Sequence, residues 1–465
     1  MAIKCGQAGR RRSITTALLG TMAAQAAHAQ CPQAWAEGFG DPGLGMNDGP
    51  TAWAVFDADG TGPQPGALHV GGWFATAGGV NVNHVARWTG AAWAALGTGI
   101  SGANVLAMAA FDPDGGGPAP PGLFVGGDFF TAGGVAAARI ARWDGQTWSP
   151  VAGGLLGGVV RALAVFNDGT GEQLYAGGDF QTSSGNSVPK VARWNGAAWS
   201  PVPNSFNSEV DCLYVYQGEL YAGGMFSSPG NNIARRTAGG AWVPLGIGMD
   251  GHVVTMAGFD DDGFGPNPEA LYVGGFFRHA GGVDVQYIAR WDGANWSSVL
   301  GGVGGTPPPE APFVRALLVH DDGGGPGLYV AGEFYNAGGA PANSVARYCA
   351  GGPGGAAFEA LGGGIAGALP WVFSLASFDA GQGPALWAGG VFDSAGGHPS
   401  RCVARWGCSP CYPDCNGSGA LTVADFGCFQ GKYVLGDLYA DCNASGSLTV
   451  ADFGCFQGKY VLGCP

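Results

Sequence analysis

A pattern of paired glycines and spaced aromatic residues recurs seven times along this chain of 465 residues, at intervals of roughly 46 to 58. One copy reads Leu271-Tyr-Val-Gly-Gly-Phe-Phe277 and continues, after Ala-Gly-Gly, as Ile288-Ala-Arg-Trp291-Asp-Gly. The Gly-x-Phe elements are Gly72/Phe74, Gly127/Phe129, Gly178/Phe180, Gly224/Phe226, Gly275/Phe277, Gly332/Phe334 and Gly390/Phe392. The matching arginines are Arg87, Arg142, Arg193, Arg235, Arg290, Arg347 and Arg405.

Each copy contains four short apolar runs separated by Asp-Gly or Asn-Gly turns, which predicts four antiparallel strands joined by hairpins. A four-stranded unit at this period is typical of a propeller blade. The double glycine followed by a spaced aromatic pair resembles kelch repeats, which implies a mainly β, seven-bladed propeller. The 90 glycines of the chain suit such a succession of tight turns.

The two ends of the repeat region predict a closed ring. The last copy stops at Arg405-Trp406 without a fourth strand. Residues Gly43–Asn47 resemble Gly246–Asp250, at the fourth-strand position of another copy. A strand from the beginning of the chain should therefore complete the final blade and leave no open edge. We also expect Cys31 to secure this closure by a disulfide to Cys402 or Cys408.

The tail contains a duplication, in which Leu421–Gly436 and Leu448–Gly463 are identical. An Asp-Cys-Asn-x-Ser-Gly loop precedes each copy. Oxygen-bearing side chains at loop positions 1, 3, 5, 9 and 12, with the backbone carbonyl of position 7, form the pattern of an EF-hand calcium loop. The predicted ligands of two calcium ions are Asp414, Asn416, Ser418, Ala420, Thr422 and Asp425, and Asp441, Asn443, Ser445, Ser447, Thr449 and Asp452.

This tail, about Asp414 to Gly463, resembles type I dockerin, including Asp at position 12. The resemblance implies paired EF-hand-like loops, calcium-dependent folding and docking onto a cohesin-like or cell-surface anchoring protein. Two features depart from that family. Position 5 is Ser418 or Ser445 in place of Asp, and positions 10 and 11, which help to choose the partner, are Val-Ala in both loops. The alternative is a pair of Asx-rich turns before two helices.

The first 29 residues predict export. A basic segment ending in Arg10-Arg11-Arg12 precedes a short apolar stretch and an Ala-x-Ala site at Ala27–Ala29, so we expect a signal peptide over 1–29. The remaining divisions are a propeller over 30–407 and a dockerin-like module over 408–465. No later segment is apolar enough to cross a membrane, which predicts an extracellular or surface-attached protein.

Cysteine use is consistent with an oxidising compartment, because eight of the twelve cysteines lie between Cys402 and Cys464. Zinc binding by Cys408 and Cys411 is an alternative for one pair of them. Cys212, inside an apolar run, is predicted to be a buried free thiol. The net charge of −14 argues against nucleic acid and anionic membranes as partners.

Two sets of recurring polar residues are predicted to be structural: the seven arginines, and the aspartates of the turns that follow the first strands. The residue between Gly and Phe varies while its frame is constant, as expected of a ligand-facing position. Its occupants are Trp73, Asp128, Asp179, Met225, Phe276, Glu333 and Val391. The three carboxylates among them could act as an acid/base pair or bind a cation, and drift on a solvated loop is the alternative.

Together these features predict a secreted, non-catalytic propeller that binds a protein or a glycan and is tethered by a calcium-dependent tail. The alternative is a dockerin-bearing carbohydrate-active enzyme, a glycoside hydrolase or lyase, with its site on the propeller axis. Two carboxylates facing each other across the axis, such as Asp179 and Glu333, would favour the enzyme. Fold alone does not decide between them.

Overall fold

The computed structural model describes residues 33–40, 43–58, 60, 66–113, 115, 117, 120–203, 206–261, 268–305, 311–323, 325–352, 355–380, 383–408, 423–434, 440, 442 and 448–462. The predicted signal peptide over 1–29 and Cys31 lie outside the described residues. Within the described part of the chain, no helix is long and apolar enough to cross a membrane.

The repeats fold into antiparallel sheets, one from each copy, numbered here in chain order. Sheet 1 contains Pro50–Phe56, Ala67–Gly72, Val85–Trp88 and Trp93–Ala95, and sheet 2 contains Ile100–Phe111, Gly122–Ala132, Ile140–Trp143 and Trp148–Pro150 with Val135–Ala136 at its edge. Sheet 3 contains Val160–Asn167, Glu172–Gly178, Val191–Trp194 and Trp199–Pro201, and sheet 4 contains Val210–Tyr216, Glu219–Gly224, Ile233–Arg236 and Trp242–Pro244. Sheet 5 contains His252–Phe259, Ala270–Phe276, Ile288–Trp291 and Trp296–Ser298, and sheet 6 contains Phe313–Asp321, Pro326–Glu333, Val345–Gly352 and Gly355–Ala360. Sheet 7 contains Trp371–Asp379, Pro384–Val391, Val403–Cys408 and Gln33–Trp35.

Small two- or three-stranded sheets follow the second strands. Their strands are Thr76–Ala77 with Val80–Asn81, Thr182–Ser183 with Asn186–Ser187, His279–Ala280 with Val283–Asp284, Val303–Gly304 with Asn336–Ala337 and Ala340–Pro341, and Ile365–Ala366 with Ser394–Ala395 and His398–Pro399.

The sheets form a ring through their first strands. The first strand of each sheet contacts the first strand of the next, and Trp371–Asp379 of sheet 7 contacts Pro50–Phe56 of sheet 1. The fold is thus a β-propeller, as predicted from the repeats. Each first strand begins opposite the end of its second strand, as Val160 pairs with Gly178. The propeller therefore has two faces: an upper face, where the first strands begin, and a lower face, which carries the turns between strands one and two and between strands three and four.

The ring is completed by a strand from the beginning of the chain, as predicted. Gln33–Trp35 pairs antiparallel with Val403–Cys408, and Trp35 lies opposite Trp406. The Trp35 indole N–H donates to the carbonyl oxygen of Leu361 in the preceding sheet, at 2.8 Å. Trp148 makes the same 2.8 Å bond from the fourth strand of sheet 2 to Leu96 of sheet 1.

Two details of the predicted closure were wrong. The closing strand is Gln33–Trp35, whereas Gly43–Asn47 is the connection that follows it: Met46 bridges Ala77 just as Met249 bridges Ala280. Cys402 is a buried free thiol, so it forms no disulfide with Cys31. The alternative pairing of Cys31 with Cys408 stays a prediction, because Cys31 lies outside the described residues. Cys212 is also a free thiol, as predicted, although its residue is only partly buried.

The paired glycines have separate steric roles. A Cβ on the first glycine would meet the first strand of the next sheet, as Gly274 would meet Val314 Cγ1 at 2.5 Å and Gly389 would meet Pro50 Cβ at 2.5 Å. A Cβ on the second glycine would lie well inside 3.0 Å of a carbonyl oxygen in its own sheet, such as His252 O for Gly275. That oxygen points at the glycine because the first strand is bulged there.

The described part of the tail consists of two helices, Val423–Val434 and Val450–Leu462. They pack with approximate two-fold symmetry around Phe429 and Phe456, whose stacked ring centroids are 4.1 Å apart. Phe426 packs on Phe456 and Tyr460 at 5.2 and 4.6 Å, and Phe453 packs on Phe429 and Tyr433 at the same two distances. A disulfide joins Cys442 to Cys455, so an oxidised tail is confirmed for this pair.

Candidate functional site

The lower face holds the recurrent arginines in a structural network. In sheet 3, Arg193 donates to Asp168 Oδ2 at 2.6 Å, and the Tyr175 hydroxyl donates to the same oxygen at 2.9 Å. Burial alone would raise the pKa of Asp168, but hydrogen bonds from Thr170, Tyr175 and Arg193 lower this pKa to about 2. Buried Arg236 of sheet 4 also approaches Asp168, at 3.8 Å. The carboxylate therefore ties two sheets together.

The same arrangement recurs elsewhere on this face. Arg290 and Tyr272 both donate to Asp261, and Tyr329 donates to Asp322, which lies 3.6 Å from Arg347. Arg235 pairs with Glu219 at 2.6 Å. Because these acids follow the first strands and meet arginines of the third strands, the lower face uses its charges to hold hairpins together. The predicted structural role of both residue types agrees with these contacts.

The upper face differs in carrying exposed apolar side chains. Among the described residues of the propeller, all the large exposed hydrophobic side chains lie at the upper ends of strands or in the upper connections, except Val55 and Val215. Those on the upper face are Trp73, Val80, Phe130, Val135, Leu156, Met225, Ile247, Phe276, Val283, Leu300 and Leu369. An apolar surface concentrated on one side of a soluble protein marks an interaction site.

Charged residues line one side of the axis on this face. Arg139 forms an ion pair with Asp128, and its guanidinium lies 4.0 Å above the ring of Phe130. Burial lowers the pKa of Arg139, and the charge of nearby Asp179 opposes that shift. The Asp179 carboxylate in turn accepts a hydrogen bond from the backbone N–H of Val159, at the start of sheet 3.

The charged series continues into sheets 4 and 5. Arg161 lies 3.1 Å from Glu209 Oε2 and 3.6 Å from Asp211 Oδ1, and His252 Nε2 lies 2.9 Å from Asp211 Oδ2. We call the whole series the charged arc. Its members are Asp128, Arg139, Asp179, Arg161, Glu209, Asp211 and His252.

Aromatic residues line the other side of the axis. The ring of Phe313 lies 6.0 Å from His252 and 5.9 Å from Phe276, and Phe373 lies 6.5 Å from Trp371 and 5.1 Å from Trp73. We call this series the aromatic arc. Its members are Phe276, Phe313, Phe373, Trp371 and Trp73, from sheets 5, 6, 7 and 1.

Arg315 joins the two halves of the aromatic arc. Its guanidinium carbon lies 4.3 Å from the Phe313 ring centroid and 5.2 Å from that of Phe373. The Arg315 Nε–H donates to Glu333, which forms an ion pair with it. A guanidinium held between two rings and one carboxylate has a defined orientation, so its terminal N–H groups have a fixed direction before a ligand binds.

Four of the seven variable repeat positions belong to the two arcs, and a fifth supports the aromatic arc. Trp73 and Phe276 belong to the aromatic arc, Asp128 and Asp179 to the charged arc, and Glu333 holds Arg315. Met225 is exposed beside the charged arc, where its N–H donates to the Glu209 carbonyl at 3.2 Å. Val391 ends the second strand of sheet 7 opposite Trp371, which belongs to the aromatic arc.

The three carboxylates predicted as a possible acid/base pair have different partners. Arg139 pairs with Asp128, the backbone N–H of Val159 donates to Asp179, and Arg315 pairs with Glu333. Each of the three carboxylates is therefore engaged by a donor of its own.

Sequence reasoning missed the first-strand members of both arcs, such as Arg161, Asp211, Phe313 and Phe373. They flank a buried valine that recurs at the start of the first strands, as in Val210 and Val314. Variation beside that constant valine was the available signal. It is the same signal that identified the residue between Gly and Phe.

One cluster in the charged arc has the composition of a metal site. Ligand atoms of Glu209, Asp211 and His252 lie within 4.8 Å of one another. However, Arg161 already forms ion pairs with both carboxylates, and a cation would have to compete with it. The cluster is therefore better described as part of an ion-pair network.

Three of the predicted calcium ligands, Asp425, Thr449 and Asp452, lie among the described residues of the tail. Asp425 and Asp452, at loop position 12, are both completely buried. Asp452 accepts hydrogen bonds from the N–H and hydroxyl of Thr449, at 2.7 and 3.2 Å, in the manner of a helix cap. The other predicted ligands lie outside the described residues: Asp414, Asn416, Ser418, Ala420, Thr422, Asp441, Asn443, Ser445 and Ser447.

Comparison with known proteins supports the fold. Residues 328–352 match a family described as a domain of unknown function (DUF5122) beta-propeller. A segment of 152 residues is 29% identical to Polarized growth protein L1 of Phoma sp., in a match that covers 29% of this chain and only 12% of that protein.

Two solved structures are similar to this chain at low TM-score and low identity. BBS1N, crystallised in complex with ARL6DN, has a TM-score of 0.44 and 11% identity over 80% of this chain and 97% of that chain. The extracellular domain of the hybrid two component system BT4673 from B. thetaiotaomicron has a TM-score of 0.46 and 9% identity, over 80% of this chain and 39% of that one. The propeller assignment thus rests on the matched family segment and on the ring of sheets.

Proposed function

We propose that this protein is an exported, non-catalytic ligand-binding propeller that is tethered outside the cell by its tail. In this proposal the seven sheets are the blades of one closed, kelch-like propeller. Its upper face binds a protein or a glycan. The observation that carries the proposal is the contrast between the faces: among the described residues, the upper face presents eleven exposed large apolar side chains, whereas the lower face presents only Val55 and Val215.

The position of the tail favours this division of roles. The strand Val403–Cys408 runs from the upper face to the lower face, since Val403 pairs with Gly389 and Trp406 with Leu386. The tail therefore leaves the propeller from the lower face. A tether at that point would leave the upper face directed away from the surface to which the protein is attached.

The tail would supply attachment through calcium. Asp425 and Asp452 would contribute carboxylate oxygens at position 12, together with the loop ligands named above. Both aspartates lie in the first turn of a helix directly after its loop, where the twelfth residue of an EF-hand loop supplies its carboxylate to the ion. Bound calcium would order the loops, and the exposed Val423 and Val450 at the helix starts would face a cohesin-like or cell-surface partner.

The binding proposal is tested on the full-length protein with glycan and protein arrays. One variant combines Trp73→Ala, Phe276→Ala and Arg315→Ala on the upper face. The control variant combines Val55→Ala and Val215→Ala, which removes the exposed apolar side chains of the lower face.

We expect ligands that bind the wild type and the control but not the upper-face variant. Binding that survives in the upper-face variant and is lost in the control would place the binding site on the lower face and refute the proposal. The absence of any bound ligand on both arrays would overturn the binding proposal.

Attachment is tested separately by equilibrium dialysis of the intact protein against calcium. About two ions per chain are expected from the two loops. No uptake at millimolar calcium would refute the calcium-dependent tether.

A further inference from the structure

We infer that the aromatic arc is a binding site for neutral pyranose sugars, with Arg315 and Glu333 as its hydrogen-bonding pair. This inference rests on the proposed function and narrows its ligand to one chemical class. Three properties of the arc lead to it: exposed ring faces, a paired donor and acceptor, and local charge neutrality.

The rings provide an apolar platform beside water. Trp73 is 37% exposed and Phe276 is 46% exposed, although both contact other rings of the arc. A pyranose has a flat face of C–H groups that packs on an aromatic face, where the negative centre of the ring meets weakly positive hydrogens. Because the supporting rings of Phe313 and Phe373 hold the platform in place, a sugar would bind with little loss of side-chain freedom.

The hydrogen-bonding groups match vicinal hydroxyls. Each sugar hydroxyl is both a donor and an acceptor, so a diol is best satisfied by an acceptor and a donor side by side. Glu333 supplies carboxylate oxygens as acceptors. Arg315 supplies its terminal N–H groups as donors, because its Nε–H is already donated to Glu333. The Arg315 side chain is 34% exposed, which leaves those terminal groups within reach of a ligand.

Charge favours a neutral ligand over a charged one. Glu333 neutralises Arg315, so the arc offers no unbalanced charge to an acidic sugar. The protein as a whole carries a formal net charge of −14, which repels polyanions. A cationic peptide would meet the Arg315 guanidinium at the centre of the aromatic platform.

The test is titration calorimetry of the full-length protein with four hexaoses in calcium-free buffer. Cellohexaose, xylohexaose and chitohexaose are the neutral probes, and hexagalacturonate is the carboxylate-bearing probe. Four variants are compared with the wild type: Trp73→Ala and Phe276→Ala within the arc, Glu333→Gln beside Arg315, and Met225→Ala as the control. Met225 occupies the same repeat position and is 53% exposed, but it lies outside the arc.

We expect at least one neutral hexaose to bind more tightly than hexagalacturonate. Trp73→Ala and Phe276→Ala should each weaken it about tenfold, whereas Met225→Ala should change the affinity less than about twofold. Glu333→Gln should weaken the neutral sugar and strengthen hexagalacturonate, because Arg315 would then lack its counter-charge.

Two results would overturn the inference. Tighter binding of hexagalacturonate by the wild type would refute neutral recognition, and equal effects of Met225→Ala and Trp73→Ala would refute the aromatic arc. If no hexaose binds but the arrays show protein ligands that depend on the upper face, the sugar assignment fails while the binding proposal stands. If neither sugars nor array ligands bind, both fail.

Discussion

The two glycines of each pair should respond differently to the same substitution, and sheet 5 is the best place to test this. The Cβ of Gly275→Ala would lie well inside 3.0 Å of the His252 carbonyl oxygen, with His252 C at 3.0 Å and Val253 Cα at 3.1 Å. The backbone would have to move by about 1 Å, and overpacking of this kind costs roughly 1–3 kcal/mol or more. Since the bulge and its hydrogen bonds must shift as well, we expect a loss of about 3 kcal/mol in the free energy of unfolding.

Gly274→Ala should cost less, about 1–2 kcal/mol. The added Cβ would meet only methyl groups, Val314 Cγ1 at 2.5 Å and Thr255 Cγ2 at 2.8 Å. Sheet 6 already carries a methyl at this position, because Ala331 is fully buried there in the same core cluster as Val372.

A double-mutant comparison isolates the mechanism. Val314→Ala should remove the closest contact made by Gly274→Ala, that with Val314 Cγ1 at 2.5 Å, although the contact with Thr255 Cγ2 stays, so the pair should be more stable than the sum of the single losses predicts. No side-chain truncation should rescue Gly275→Ala, because its obstacle is a backbone oxygen; His252→Ala serves as the matched attempt. The assay is chemical denaturation of the full-length protein followed by tryptophan fluorescence. A Gly275→Ala protein as stable as the wild type, or rescued by His252→Ala, would refute the reasoning.

Three further predictions concern the network, the closure and the tail. Asp168→Asn should lower the unfolding free energy by about 2 kcal/mol at pH 7, because the folded pKa of about 2 lies below the unfolded value. The Asp168 carboxylate contributes its full stabilisation above about pH 4 and progressively less as the pH falls towards 2. The unfolding free energies of the mutant and the wild type, measured as a function of pH, should therefore converge in that range. A difference that stays constant with pH would contradict the role given to Asp168. Trp35→Phe should cost about 1 kcal/mol by removing the bond to Leu361 O, measured by the same denaturation assay, and an unchanged midpoint would mean that the closing strand contributes little. Asp425→Asn and Asp452→Asn should each weaken calcium uptake at one loop in equilibrium dialysis, and two undiminished sites in the double variant would exclude position 12 as a ligand.

The repeated strands and turns of the propeller could be predicted from sequence because each repeat has to meet the same steric requirements. The double glycine, the Asp-Gly turn and the paired tryptophans are local requirements, so they recur visibly. The arcs could be predicted only in part, since Arg161, His252, Phe313 and Phe373 come from four sheets and meet only when the ring closes. The closing strand was misplaced because Gly43–Asn47 shares its pattern with an upper connection, while the informative residue was Trp35, the counterpart of the fourth-strand tryptophans.

The pairing of Gln33–Trp35 with Val403–Cys408 also has a mechanical consequence. If the tail anchors the protein, any pull on it reaches the propeller through Val403–Cys408. An unprotected edge strand would peel away one hydrogen bond at a time, but this strand is bonded on one side to Pro384–Val391 and on the other to Gln33–Trp35. The load is therefore shared between the two ends of the repeat region, and shear in flow would act on a strand that is hydrogen-bonded along both edges.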